Sequence, residues 1–166
     1  MTNKTVKAAL CISIFSLVFL ISSCAVPFDI TSSKITIELQ NTCGLYVESE
    51  IKIPEEVLKS NVSFSEIVLY YTVRKNGSFV AKVEMYASTG QKADNLKGGN
   101  DEKLIGVELG LSENKKSGEV VSNKIREVLN SKLPKFVVGG ENLSANPLSS
   151  IFIDLEVRFV GTYSAF

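Results

Sequence analysis

The sequence predicts a mainly β chain: an antiparallel β-sandwich, loosely immunoglobulin-like, with about seven strands and one amphipathic helix. Three observations carry this. Apolar and polar residues alternate with period two in several separate runs, the mark of half-buried strands. One run alone shows a helical period. No repeat and no strand–helix–strand alternation occurs, which argues against a parallel sheet. The same strands could also close into a partly open barrel.

Taken in order, the first strand is Lys34 to Gln40, with Ile35, Ile37 and Leu39 on one face and Thr36, Glu38 and Gln40 on the other. Tyr46 to Ile53 repeats the pattern, setting Val47, Ile51 and Ile53 against Glu48, Glu50 and Lys52. Pro54-Glu55-Glu56-Val57-Leu58 reads as one helical turn, with proline at its start and acids near the positive end of the dipole. Ile67 to Arg74 and Phe79 to Tyr86 flank Lys75-Asn76-Gly77-Ser78, and Asn-Gly there predicts a type I′ hairpin placing Tyr70 opposite Val83. Ile67 to Arg74 is apolar on both faces and so should be central; the partner strand should show Lys82 and Glu84 to solvent.

Lys103 to Leu111 is a strand with Ile105, Val107, Leu109 and Leu111 inward, and Gly106 and Gly110 signal a bulge or a close covering element. The helix is expected over Gly118 to Leu133: Val121, Ile125, Val128, Leu129 and Leu133 form one stripe, Ser117 serves as N-cap and Pro134 ends it. Phe136 to Val138 is a short strand closed by Gly139-Gly140. Ser150 to Tyr163 is the last, with Ile151, Ile153, Leu155, Val157 and Phe159 on one face.

Composition narrows function. The 166 residues carry 18 Lys+Arg, 18 Asp+Glu and no His, so His-based catalysis and His-ligated metals are excluded. A net charge of zero, with no basic patch among aromatics, gives no case for nucleic acid. Three cysteines, at 11, 24 and 43, are too few and too scattered for a zinc finger or a disulfide scaffold. Cys43, in Thr42-Cys43-Gly44 among apolar neighbours, reads as a buried thiol.

The N-terminus is the most specific part. Lys4 and Lys7 open it, no acid precedes Asp29, and Ala8 to Ile21 runs uncharged for fourteen residues. That suits a secretory signal and is short for a membrane span, which needs roughly 20 apolar residues. Ile21-Ser22-Ser23-Cys24 follows, and this stretch resembles the lipobox of bacterial lipoproteins. The resemblance covers Met1 to Cys24. It implies a diacylglyceryl thioether on Cys24 and cleavage between Ser23 and Cys24, so that the chain is anchored to the membrane by its lipid. By the same resemblance, to lipoprotein sorting in some two-membrane bacteria, Ala25 in place of Asp after the cysteine implies export to the outer membrane. Residues 1–23 are then a signal peptide, 24–33 a lipidated cysteine and tether, and 34–166 the β-sandwich domain.

Candidate sites in the domain are few. Asp94, Asn95, Asn100, Asp101 and Glu102 lie in the polar stretch Ala87 to Glu102, whose oxygen donors and glycines suit a partner or a Ca²⁺-type ion, although their spacing matches no EF-hand. Asp154, Glu156 and Arg158 share a strand face, as do Glu48, Glu50 and Lys52; both rows read as solvated surface more readily than as acid/base pairs. The expectation is a non-enzymatic, lipid-anchored envelope protein without a cofactor, acting as a binding or assembly module for an envelope partner. The alternative is a carrier of an apolar ligand such as lipid between sheet and helix. A metal-dependent or carboxylate enzyme ranks third.

Overall fold

The computed structural model describes residues 25–40, 46–89, 102–144, 146 and 149–164. Among these residues two antiparallel sheets face each other as a β-sandwich, with two short helices. The strands are β1 (Val26–Thr31), β2 (Ile35–Gln40), β3 (Val47–Lys52), β4 (Val62–Lys75), β5 (Ala81–Ser88), β6 (Glu102–Leu109), β7 (Lys115–Val121), β8 (Lys135–Asn142) and β9 (Ser150–Tyr163). Helix α1 spans Glu55–Lys59 and α2 spans Asn123–Asn130. The first sheet has the order β1-β9-β4-β7, with β2 also paired to β9; the second has the order β3-β8-β5-β6.

Strand β9 organises the first sheet. β4 pairs along nearly its whole length on one edge. On the other edge β2 takes Ser150 to Leu155 and β1 takes Arg158 to Tyr163. Ser32 bridges the gap between them: its amide donates to the Val157 carbonyl at 2.8 Å and its Oγ accepts from the Val157 amide at 3.0 Å. The β9 ladder therefore stays satisfied where the edge changes strand. Residues Val26 to Thr31, expected as part of a tether, are thus a paired strand, because β9 offers them its edge and Phe28 packs on Phe64.

The core lies between the sheets. Ile67, Leu69 and Val73 of β4 and Ile151 and Ile153 of β9 meet Ala81 and Val83 of β5 and Ile105, Val107 and Leu109 of β6. β4 is central, as its two apolar faces predict. Leu111, expected inward, lies beyond the end of β6 and is exposed.

The expected β4–β5 hairpin does not form. β4 pairs with β7 and β9, and β5 pairs with β6 and β8 in the other sheet. Gly77 has φ +108°, but Asn76 does not share a positive φ, so the two-residue I′ geometry is absent. The cause is Lys75. Its side chain points into the sandwich, where it is 2 % exposed, and its Nζ donates to the carbonyls of Phe79, Gly110 (2.6 Å) and Leu111 (3.4 Å). The ammonium also stands 4.9 Å from the Phe79 ring centroid. These bonds carry residues 76–80 across the end of the sandwich to the β6–β7 turn.

The helix is shorter than its stripe predicts. Lys115 to Val121 form β7, and α2 begins only at Asn123. Gly118 sits where the Tyr71 ring crosses β7, with its hydroxyl 2.5 Å from where a β-carbon would be, and Val120-Val121 favour a strand. Ser122, not Ser117, is the N-cap, accepting from the Ile125 amide at 3.1 Å. Gly139 and Gly140 likewise lie inside β8 rather than ending it; the Tyr46 ring packs over Gly139.

Lys75→Met keeps the length of the side chain and removes its donors. It should lower unfolding stability by about 2–4 kcal/mol, because the buried Phe79 carbonyl and the part-buried carbonyls of Gly110 and Leu111 lose their partner. Urea titration of both proteins measures this.

Candidate functional site

The sandwich is closed on one side and open on the other. β1 and β2 form the outer edge of the first sheet and β3 that of the second, and along these edges the sheets part. The result is a cleft of about 690 Å³ beside β1, within the size range of small-molecule sites. A second crevice of about 650 Å³ runs beside β2, and Ile51 of β3 lines both.

Each wall of the larger cleft follows from local sequence. The alternation of β1 turns Phe28 and Ile30 into it, and that of β9 adds Val157, Phe159 and Tyr163. In β4 a bulge between Phe64 and Glu66 shifts the register, so Phe64 and Ile67 both face inward. Phe64 pairs with Gly161 of β9 on one edge; on the other, β7 reaches only as far as Val68, and Asn130 of α2 takes the free backbone groups. Its Oδ1 accepts from the Phe64 amide and its Nδ2 donates to the Phe64 carbonyl, both at 2.8 Å. Arg126 Nη1 donates to the Ser65 carbonyl at 3.1 Å. These bonds hold α2 across the end of the cleft, where Ile125 and Leu129 line it.

Phe64 packs edge-on against Phe28 at 5.9 Å between ring centroids and lies 6.0 Å from Phe159. Gly161 makes room for this group: it pairs with both Phe28 and Phe64, and a β-carbon there would meet the Ser63 carbonyl and the Phe28 ring. On the facing side are Ile51, Ile53, Val57 of α1 and Phe136. Among the lining residues the one charged side chain is Lys52. Such a surface holds apolar matter by area and offers no cluster of charges to fix an ionic head group.

The carboxylate rows lie elsewhere. Asp154 and Glu156 border a polar recess of about 290 Å³ on the outer face of the first sheet, with Lys34, Tyr70 and Ser117. Arg74 holds Asp154 in a two-pronged pair (2.9 and 3.0 Å), and Thr36 Oγ1 donates to it at 2.7 Å. The Arg74 hydrogen bond, then that of Thr36, depress the Asp154 carboxyl to about 2. Arg158 pairs with Asp29 of β1 rather than with Glu156. In the other row, Glu50 pairs with Lys135 at 2.7 Å. Glu84, expected in solvent, is 7 % exposed. Lys103 and Lys82 each approach its Oε1 at 3.0 Å, and Tyr86 donates to Oε2 at 2.9 Å. The Lys103 and then the Lys82 hydrogen bond lower its carboxyl to about 2 against the cost of burial.

Of the candidate loop residues, Glu102 opens β6 and has a structural task. It accepts from Ser122 Oγ, from the Asn123 amide at 2.7 Å and from the Lys124 amide at 3.1 Å, placing a negative charge on the α2 N-terminus. Asp94, Asn95, Asn100 and Asp101 lie outside the described residues, as do Ser23, Cys24 and Cys43. Among the described residues no three potential metal ligands come together, and no helix is long and apolar enough to cross a membrane.

No family model and no curated protein matches the sequence. Among solved structures the chain is similar to the BFDV capsid protein. A decameric form has TM-score 0.35 and 8 % identity over 84 % of this chain and 99 % of that one. A 60-mer form has TM-score 0.38 and 10 % identity over 86 % and 95 %. A structure of infectious bursal disease virus, Gt strain, has TM-score 0.23 and 11 % identity over 87 % of this chain and 39 % of that one. At these scores the likeness carries no inference about role.

Glu84 and Asp154 have folded-state values below their ordinary ones near 4.5 and 3.8. Their stabilisation is therefore complete above those ordinary values and is lost as pH falls towards about 2. The urea midpoint should drop across that window. Glu84→Gln should flatten the drop and cost about 1–3 kcal/mol at neutral pH.

Proposed function

We propose that this chain is a non-enzymatic, lipid-anchored protein of the bacterial cell envelope whose β-sandwich binds an uncharged apolar chain in the cleft between its sheets. The observation that carries the reading is the cleft lining, in which apolar side chains from both sheets and both helices surround about 690 Å³ with a single charged residue at its border. A chain of methylene groups gains about 0.8 kcal/mol for each one buried on such a surface. A fatty acid or phospholipid would bring a charged head that the lining does not meet with a matching cluster.

The anchor rests on the lipobox resemblance at Ile21-Ser22-Ser23-Cys24 and gives the envelope location, in the outer membrane where there are two. Two acyl chains make a stable attachment where one is marginal. The outer-face carboxylates support a structural role. Asp154 and Asp29 are consumed in arginine pairs that fasten β9 to its neighbours, so neither is disposed to shuttle protons.

Native mass spectrometry of the full chain carrying Cys24→Ala, which has no acyl group of its own, tests the binding. It should release with a non-covalent neutral lipid. Ile51→Glu, at a position 39 % exposed on the cleft rim, should lose at least nine-tenths of that adduct while keeping its melting temperature. A Cys24→Ala protein that carries no lipid, and takes up none from neutral-lipid micelles, would reject the reading.

A further inference from the structure

The cleft stands next to the proposed anchor. β1 begins at Val26, which pairs with Tyr163, and Tyr163 lines the cleft. Cys24 precedes Val26 by two residues, so even a fully extended backbone sets it no more than about 7 Å beyond the strand. The surface that leads from that end into the cleft is apolar and exposed: Val26 is 58 %, Tyr163 46 % and Ile30 59 % accessible. Singly exposed apolar residues are ordinary, but this group is continuous with an apolar cavity.

The chemistry narrows the occupant. An acyl chain esterified to the glyceryl group on Cys24 has no ionised head group, and only two residues of chain separate its attachment point from Val26. It needs neither a charge partner in the lining nor the loss of free translation that a separate lipid gives up on binding. We propose that the cleft receives one acyl chain of the diacylglyceryl group on Cys24 of the same molecule. The proposal rests on the cleft reading and on the lipobox. With one chain withdrawn, the other alone holds the protein to the bilayer, and single-chain attachment is marginal and reversible. The cleft would then act as an internal store that loosens the protein from its membrane.

The test uses the full chain in cells fed a fatty acid with a terminal diazirine. Irradiation of the membranes, digestion and mass spectrometry locate the cross-links, and intact mass shows the acyl group on Cys24. The expected result is cross-links from the Cys24-borne chain to peptides carrying Ile51, Ile125 or Phe136 of the same molecule. They should fall at least five-fold in Ile51→Glu, at unchanged melting temperature. Cross-links of that chain to phospholipid alone, or to a second copy, overturn the proposal. Phospholipid adducts on the cleft peptides would overturn it while leaving the cleft a lipid site. Cleft peptides with no adduct would remove the cleft reading as well. A Cys24 without acyl mass overturns the proposal together with the lipobox, leaving the cleft to the native-mass test.

Discussion

The buried ammonium of Lys75 decides where the chain passes from one sheet to the other, and the two-sheet division follows from crossings of that kind. β1 and β2 lie in the first sheet, β3 in the second, β4 in the first, β5 and β6 in the second, β7 in the first, β8 in the second and β9 in the first. Among the described strands only β5 and β6 are neighbours both in sequence and in a sheet. Burying a charge without compensation is costly. Lys75 meets that cost with the carbonyl dipoles of Phe79, Gly110 and Leu111, and so ties the β4–β5 and β6–β7 connections together at one end of the sandwich.

Closure at that end contrasts with the opposite edges, where β1 and β2 face β3 across the cleft and the crevice. Asn142 joins the two sheets there, its Nδ2 donating to the Leu39 carbonyl of β2 at 3.0 Å. Elsewhere along these edges the sheets lean on side chains that do not fill the space between them. Val47 and Ile51 of β3 and Ile30 of β1 remain exposed although their alternation points them inward. Apart from Asn142–Leu39, the polar contacts of the first sheet's edge lie on the outer face, as Arg158–Asp29 and Arg74–Asp154–Thr36, and leave the cleft beside β1 apolar.

Much of this was legible in period-two alternation. The extents of β2, β3 and β9, the part of β4 from Ile67 on, the helical turn after Pro54 and the inward faces of β6 and β9 follow from it, because side-chain direction along a strand is a local property; that β4 begins at Val62 did not. Pairing is not local, so the Asn76-Gly77 signal pointed to a hairpin that a lysine contact to residues 110 and 111 overrides. The helix stripe ran too far upstream because Val121 continues the spacing, whereas its neighbours were already committed to pairing with β4. The apolar lining of the cleft was present in the sequence as ordinary core pattern; only the parting of two edges shows that Phe28, Ile51 and Phe136 border space. Nothing local marks Asn130 for its task, since the stop of β7 opposite Val68, which leaves the Phe64 backbone groups to it, is a matter of pairing.

The central claim is that an apolar site lies open between the sheets. A crystal structure of the Cys24→Ala chain soaked with a brominated alkane tests it most directly. The account predicts anomalous scattering inside the cleft, between Phe64 on one wall and Ile51 and Phe136 on the other, with α2 in place. Bromine found only on the outer surface, with Phe28 and Ile30 packed directly against Ile51, would contradict it.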